Sequence, residues 1–248
     1  MTESPYSFST KHFITINLRI VLLLLLILSG IQLTFSQQTE TPFKGLYGLD
    51  QELYNGSRYI YFPPLQTGGH QFLHSESFNL GSIGLRGKLY TDLLLNFDIY
   101  NQQLVMRYIN QLGAADQLVV SDAWLQSFSI KGMKFEYLQM PDSSWNIVQI
   151  IGEKPFEILV IWHKDLSLDT RHGATNHVFS KALKKTWLRN NELMQAFKNK
   201  RSFVKFFPKD FQSSLKKYMR KSHFSFKKAS EESIDELLNF CKTNLHNP

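Results

Sequence analysis

The sequence predicts an α+β protein, a curved antiparallel β meander (an open sheet or a barrel-like sandwich) followed by short C-terminal helices. Three observations carry this. Between Tyr54 and about Phe179, runs of β-branched and aromatic residues recur, each closed by a turn signal, which is the mark of antiparallel strands. Beyond Lys198 the apolar residues fall instead at helical spacing. The single cysteine, Cys241, excludes an intrachain disulfide, so the fold rests on its core. A hydrophobic content of 43% is enough to build one.

The chain opens with the features of a secretory signal peptide in order. Lys11 and Arg19 make a basic start, Ile20 to Leu28 form an unbroken apolar run, and Thr34 and Ser36 are small residues before a cut ahead of Gln37. A spanning helix needs about 20 mostly apolar residues, and Gln32, Thr34 and Ser36 follow too soon for one. The expectation is a leader over residues 1–36, a β-rich region over 37–180 and a basic, mainly helical region over 181–248 packed on it. The mature chain is then expected to carry no transmembrane helix and to work in the periplasm, at the envelope or outside the cell.

The expected strands are Arg58 to Phe62, Gly87 to Tyr90, Leu94 to Tyr100, Gln103 to Ile109, Gln117 to Val120, Trp124 to Ile130, Met133 to Leu138, Trp145 to Ile151 and Phe156 to His163. Asn101-Gln102 and Lys131-Gly132 suit tight hairpins. Glu153-Lys154-Pro155 closes another connection, and such closely spaced strands are expected to pair in sequence. Gly81 and Gly84 read as turn residues, and Thr170 to Asn176 as a polar loop. A hairpin over Lys184 to Phe197, turning at Asn190-Asn191, is preferred to a helix over Glu192 to Lys198.

Helices follow. Lys200 to Phe207 is stopped by Pro208, which suits the first position of the next helix. That helix puts Phe211, Leu215 and Tyr218 on one face and Lys216, Lys217, Arg220 and Lys221 largely on the other. Ser230 is an N-cap for the last one, whose stripe is Ile234, Leu237, Leu238, Cys241 and Leu245.

The chain resembles a group of uncharacterised exported proteins common in Bacteroidetes-type bacteria. The likeness rests on Tyr54-Asn55-Gly56, Gly87-Lys88-Leu89-Tyr90, Leu95-Asn96-Phe97-Asp98-Ile99-Tyr100 and Ala123-Trp124-Leu125-Gln126-Ser127-Phe128 before Phe135. It resumes at Lys200 to Phe207 and runs through Lys216-Lys217-Tyr218 to Leu237. Gly152 to Glu157 departs from the pattern through Lys154 and Pro155. The resemblance implies an exported β-rich body with a helical end, and it lends no catalytic residue.

For chemistry, His163, Asp165, Asp169, His172 and His177 gather the residue types that hold zinc, at a spacing that fits no ligand pattern. Strand ends and polar loops collect such residues without a metal. His70 and His74 read as loop, and Gly81-Ser82-Ile83-Gly84 falls short of a nucleophile elbow. Phosphate loops and dinucleotide fingerprints are missing from the sequence, so no cofactor is expected. Asp92 and Asp98 flank an apolar strand, and as a carboxylate pair they would need a separation that sequence does not supply. Cys241 sits on an apolar stripe, where an inert thiol is expected.

Charge is uneven. From Lys181 to Lys228 there are fifteen Lys and Arg against Glu192 and Asp210 alone, whereas residues 37–180 carry ten against fourteen acids. A basic stretch of this kind reads as a contact for an anionic surface through Lys216, Lys217, Arg220 and Lys221, or as the solvated side of helices. The resulting expectation is an exported, non-catalytic envelope protein that binds or scaffolds. Its partner would be anionic lipid, lipopolysaccharide or an envelope protein, with no nucleic acid. One alternative is a carrier holding a lipid or acyl chain in the concave face of the sheet, and a second is a metal-dependent enzyme built on His163 to His177.

Overall fold

A computed structural model describes residues 50–110, 112–170 and 176–245, so the expected leader lies outside them. The strands are β1 (Gly56–Arg58), β2 (Asn79–Leu85), β3 (Lys88–Asp98), β4 (Gln103–Ile109), β5 (Ala115–Val120), β6 (Leu125–Ile130), β7 (Met133–Gln139), β8 (Trp145–Glu153), β9 (Phe156–His163), β10 (Leu166–Asp169), β11 (Asn176–Phe179), β12 (Leu183–Asn190) and β13 (Leu193–Phe197). The helices are α1 (Lys200–Val204), α2 (Lys209–Lys221) and α3 (Glu231–Leu245). Eleven strands form one open antiparallel sheet in the order β1-β5-β4-β3-β2-β6-β7-β8-β9-β12-β13, and β10 and β11 pair separately. The α+β class and the curved open sheet expected above are what the structure contains.

The sheet is two meanders joined where β2 meets β6, and β2 is the strand the sequence reading took for a turn. Its glycines belong there for another reason. A Cβ on Gly81 would lie 2.1 Å from the Ser129 carbonyl oxygen, and one on Gly84 would lie 2.7 Å from Ser127 Oγ. At Gly81 the β6 backbone, and at Gly84 the Ser127 side chain, therefore lies too close for a side chain, and the register with β3 shifts between Gly81 and Ile83. Because β2 pairs with β3 and β6 at once, β5 and β6 are not neighbours, and strict pairing in sequence order fails there.

This order forces curvature. In a flat sheet β5 and β6 would stand about 19 Å apart, with neighbours at about 4.8 Å. The chain from Val120 to Leu125 reaches at most about 18 Å. The sheet curls instead, and Phe97 of β3 packs edge-on against Phe128 of β6 and Phe135 of β7, at ring distances of 5.7 and 5.5 Å. Phe128 and Phe135 stack at 4.6 Å. With Ile83, Leu95 and Leu118 they fill the inner face of the first half from the sheet's own side chains.

Three further strand expectations are corrected. Strand β1 stops at Arg58, not Phe62, because Tyr59 turns its hydroxyl to Asp98 at 2.8 Å, while Ile60 and Phe62 are exposed. The two runs Gly87 to Tyr90 and Leu94 to Tyr100 are one strand, β3, and its exposed Asp92, at φ 58°, accounts for the break in the pattern. Part of the stretch read as loop over Thr170 to Asn176 opens a hairpin, in which Leu168 faces His177 and Asp169 faces Asn176. Strands β4 and β9 end where the sequence placed them.

The second half of the sheet is covered by the helices. Strand β12 pairs with β9 along its whole length and turns into β13 at Asn191, so Lys184 to Phe197 is a hairpin and the sheet extends to Phe197. The helical part of the C-terminal region begins only after it. Ile151, Ile158, Val160, Leu188 and Phe197 then pack with Phe203, Phe207, Leu215, Phe226, Leu237 and Leu238 in a second core. Trp162 borders both cores, and its indole N–H donates to Gln149 Oε1 (2.7 Å), whose amide donates to Glu231 Oε1 on α3 (2.6 Å). At Gly152, φ is +95° and a Cβ would meet Leu238 Cδ1 at 2.4 Å, so α3 sits where only glycine lets it approach.

Helix ends follow their residues. Asn199 caps α1 through the Ser202 amide, and Ser202 Oγ returns the bond to the Asn199 N–H. The helix ends at Val204, not Phe207, and Pro208 precedes α2 as its N-cap rather than standing as its first residue. Ser230 Oγ accepts from the Ser233 N–H at the start of α3, where Glu231 and Glu232 meet the positive end of the helix dipole. Among the described residues no helix is long and apolar enough to cross a membrane.

Candidate functional site

The residues with metal-binding chemistry do not converge in the described part of the chain. His163 ends β9, its Nδ1 buried without a hydrogen-bond partner among the described residues, while Asp165 is exposed just beyond it. Asp169 and His177 stand on β10 and β11, where Asp169 faces Asn176 and His177 faces Leu168 in the register, and His172 lies outside the described residues. Among the described residues no group of three or more His, Cys, Asp or Glu side chains is placed to hold an ion.

A denser polar cluster lies where the segment after β1 crosses the end of β3. Asp98 is fully buried and accepts from Tyr59 Oη (2.8 Å), Asn101 Nδ2 (2.7 Å) and the N–H groups of Tyr100 (3.0 Å) and Asn101 (2.8 Å). Burial, and the Asp98 charge beside it, push the Tyr59 hydroxyl above the usual phenol range, so it stays a donor. Lys164 donates to the carbonyls of His70 and Phe72, at 2.7 Å each, and burial lowers its pKa. His70 is also lowered, by burial and then by the Lys164 charge. Both Asp98 oxygens are taken by protein donors and the Lys164 ammonium is spent on backbone, so the cluster locks the segment 59–72 to the sheet.

Helix α2 divides cleanly. Phe211, Leu215 and Met219 are buried and Tyr218 is half-buried against Phe240, with ring centroids 4.2 Å apart. Lys209, Lys216, Lys217, Arg220 and Lys221 are exposed, and successive steps of 100° per residue put them on the opposite side. No salt bridge forms to Lys216, Lys217, Arg220 or Lys221 among the described residues. The aromatic residues that interleave with the bases in sequence, Phe203, Phe206, Phe207 and Tyr218, pack in the second core. Cys241 is buried on the inner face of α3, and burial pushes its thiol up to about 12, leaving it protonated and inert.

A second surface went unread in the sequence. At the rim of the curl, Arg86, Asp122, Trp124, Gln126, Tyr137 and Trp145 line an open cleft of about 590 Å³. Tyr137 and Trp145 stack at 5.2 Å and 27°, the Arg86 guanidinium lies 5.0 Å from the Trp124 ring, and Gln126 Oε1 accepts from the Gly87 N–H at 2.6 Å. A neighbouring cleft of about 450 Å³ shares Asp122 and Leu125 and runs past Ser121, Gln103 and Ser57. These side chains come from turns and strand ends far apart in sequence. The only local signal was a tryptophan at each of two expected strand starts, Trp124 and Trp145.

No protein-family profile, curated protein or solved structure matches this chain.

Proposed function

We propose that the protein is exported and acts without catalysis, docking on an anionic lipid surface through the exposed basic face of α2. One observation carries the reading. Lys216, Lys217, Arg220 and Lys221 share an exposed face, without salt bridges among the described residues, on a helix whose other face is anchored in the core. An anchored helix presents its charges together, and each base near an anionic surface contributes roughly 1 kcal/mol. Since the neighbouring aromatics pack in the second core, Phe206 and Tyr218 partly buried there, the attraction is electrostatic, with a reach of about 8 Å at physiological ionic strength. The leader-like first 36 residues support export.

The carrier alternative is less favoured, because the inner face of the curl holds the packed rings of Phe97, Phe128 and Phe135 where an acyl chain would lie. Co-sedimentation with anionic and neutral phospholipid vesicles tests the proposal. Binding to anionic vesicles alone, fading as salt rises and lost when Lys216, Lys217, Arg220 and Lys221 are all changed to glutamine, is expected. Equal binding to both vesicle types, or none to anionic vesicles at low salt, would refute it.

A further inference from the structure

We infer that the aromatic rim of the curled sheet is a second binding site, and that its ligand is a neutral glycan. Trp145, the first residue of β8, is 56% exposed although one side of its ring lies against Tyr137. A large ring left in water beside a cleft marks a contact surface more than a packing residue. The platform is held in place before any ligand arrives. Trp145 leans on Tyr137, the Tyr137 hydroxyl donates to Asp122 at 3.4 Å, and the turn carrying Arg86 is tied to β6 by the Gly87 to Gln126 bond. Preorganised rings lose little freedom on binding.

The chemistry of the lining selects the ligand class. Arg86 and Asp122 are the charged residues of the rim cleft, and they balance. Arg86 is further engaged by Glu52 at 3.8 Å and by the Trp124 ring. An anionic ligand therefore finds no surplus of base, in contrast to α2. A free lipid chain would meet a cleft bordered by carboxylate and amide. The adjoining cleft adds Asn55, Ser57, Gln103 and Ser121, uncharged groups that both donate and accept. Gln102 lines the same cleft, and its Oε1 is a buried acceptor without a partner among the described residues. Pyranose rings combine what these surfaces call for, an apolar C–H face that lies on an aromatic ring and an edge of uncharged hydroxyls. Two clefts joined at Asp122 and Leu125 suit several linked sugars rather than one. A proline-rich peptide also stacks on aromatic grooves. The glycan is favoured because the polar lining is side-chain amide and hydroxyl spread over both clefts.

The test is isothermal titration of the full mature chain with soluble neutral oligosaccharides, namely β-1,4-linked glucose, xylose, mannose and N-acetylglucosamine and α-1,4-linked glucose, beside a proline-rich peptide. At least one oligosaccharide is expected to bind, with an affinity unchanged between low and high salt. Trp145→Ala should weaken it about tenfold, which corresponds to roughly 1.4 kcal/mol, at an unchanged melting temperature. Trp145→Phe, which keeps a flat ring, should retain most of the affinity. The four-glutamine variant of α2 should bind the sugar like wild type, so this inference and the proposed docking fail separately. Heat from none of the oligosaccharides, equal affinity in Trp145→Ala, or binding of the peptide in their place would overturn it.

Discussion

The two halves of the sheet bury their inner faces with different material. From β2 to β7 the sheet curls until Phe97, Phe128 and Phe135 meet, so strands supply both sides of the core. Through β8, β9, β12 and β13 the same sheet runs on without that curl, and α1, α2 and α3 cover it with Phe203, Leu215, Leu237 and Leu238. The difference follows from what each half is connected to. The short path from Val120 to Leu125 pulls the first half round, while the second half ends at Phe197 and hands the chain to amphipathic helices. A half that fills its core from its own strands leaves its rim free of helices, and a helix-covered half shows the solvent whatever lies on the outer side of its helices. One protein thereby presents an aromatic rim whose charges, Arg86 and Asp122, balance, and a basic face on α2.

The largest effect expected from breaking this comparison is in the curled half. Phe128→Ala removes one ring of this mutually packed trio, and a buried phenylalanine cut to alanine costs about 3 to 5 kcal/mol. Equilibrium denaturation should show a loss of that size. A change below about 1 kcal/mol, well short of that range, would mean that the rings are not what fills the curl. Leu238→Ala probes the other half, where the leucine is 1% exposed and touches the space above Gly152. A loss of about 2 to 5 kcal/mol is expected. Because Trp162 borders both cores, the two substitutions should lower one common transition seen by fluorescence and by circular dichroism. Separate transitions would show that the halves fold independently.

A smaller effect sharpens the contrast at the start of β3 in the curled half. The Lys88 ammonium, with the N–H groups of Leu53 and Glu52 and the Tyr90 hydroxyl, holds the Asp50 carboxyl at about 2. A carboxyl whose folded pKa lies below its unfolded value contributes stability above that value, about 4, and loses it as pH falls toward about 2. Lys88 is half exposed, so solvent screens the pair and the effect is modest. Acid titration of the unfolding midpoint should be shallower between about pH 4 and 2 in Asp50→Asn than in wild type. Identical curves would show that the carboxyl gains nothing on folding.

Much of this architecture was legible residue by residue. Strand β4 was read to its ends because Asn101-Gln102 sets one limit and the polar stretch after Ile109 the other. The hairpin of β12 and β13 was set by Asn190-Asn191, and α3 by Ser230 and its acidic first turn. Strand β2 was lost because Gly81 and Gly84 look like turns locally, while the neighbour that demands them, β6, lies far along the chain. The basic face of α2 could be read because a helix turns sequence spacing directly into a surface. The aromatic rim could not, since Arg86, Asp122, Tyr137 and Trp145 are brought together only by the curl. His163, Asp165, Asp169 and His177 stand close in sequence, and among the described residues no group of three or more such side chains is placed to hold an ion.

The measurement that bears most directly on the account is made on one protein, with Lys216, Lys217, Arg220 and Lys221 changed to glutamine, and reads two quantities together. If the helix keeps its core on one side and its docking surface on the other, the melting temperature stays at the wild-type value while anionic-vesicle binding at low salt disappears. Vesicle binding that survives the substitutions, or a melting temperature that falls with it, would contradict that division.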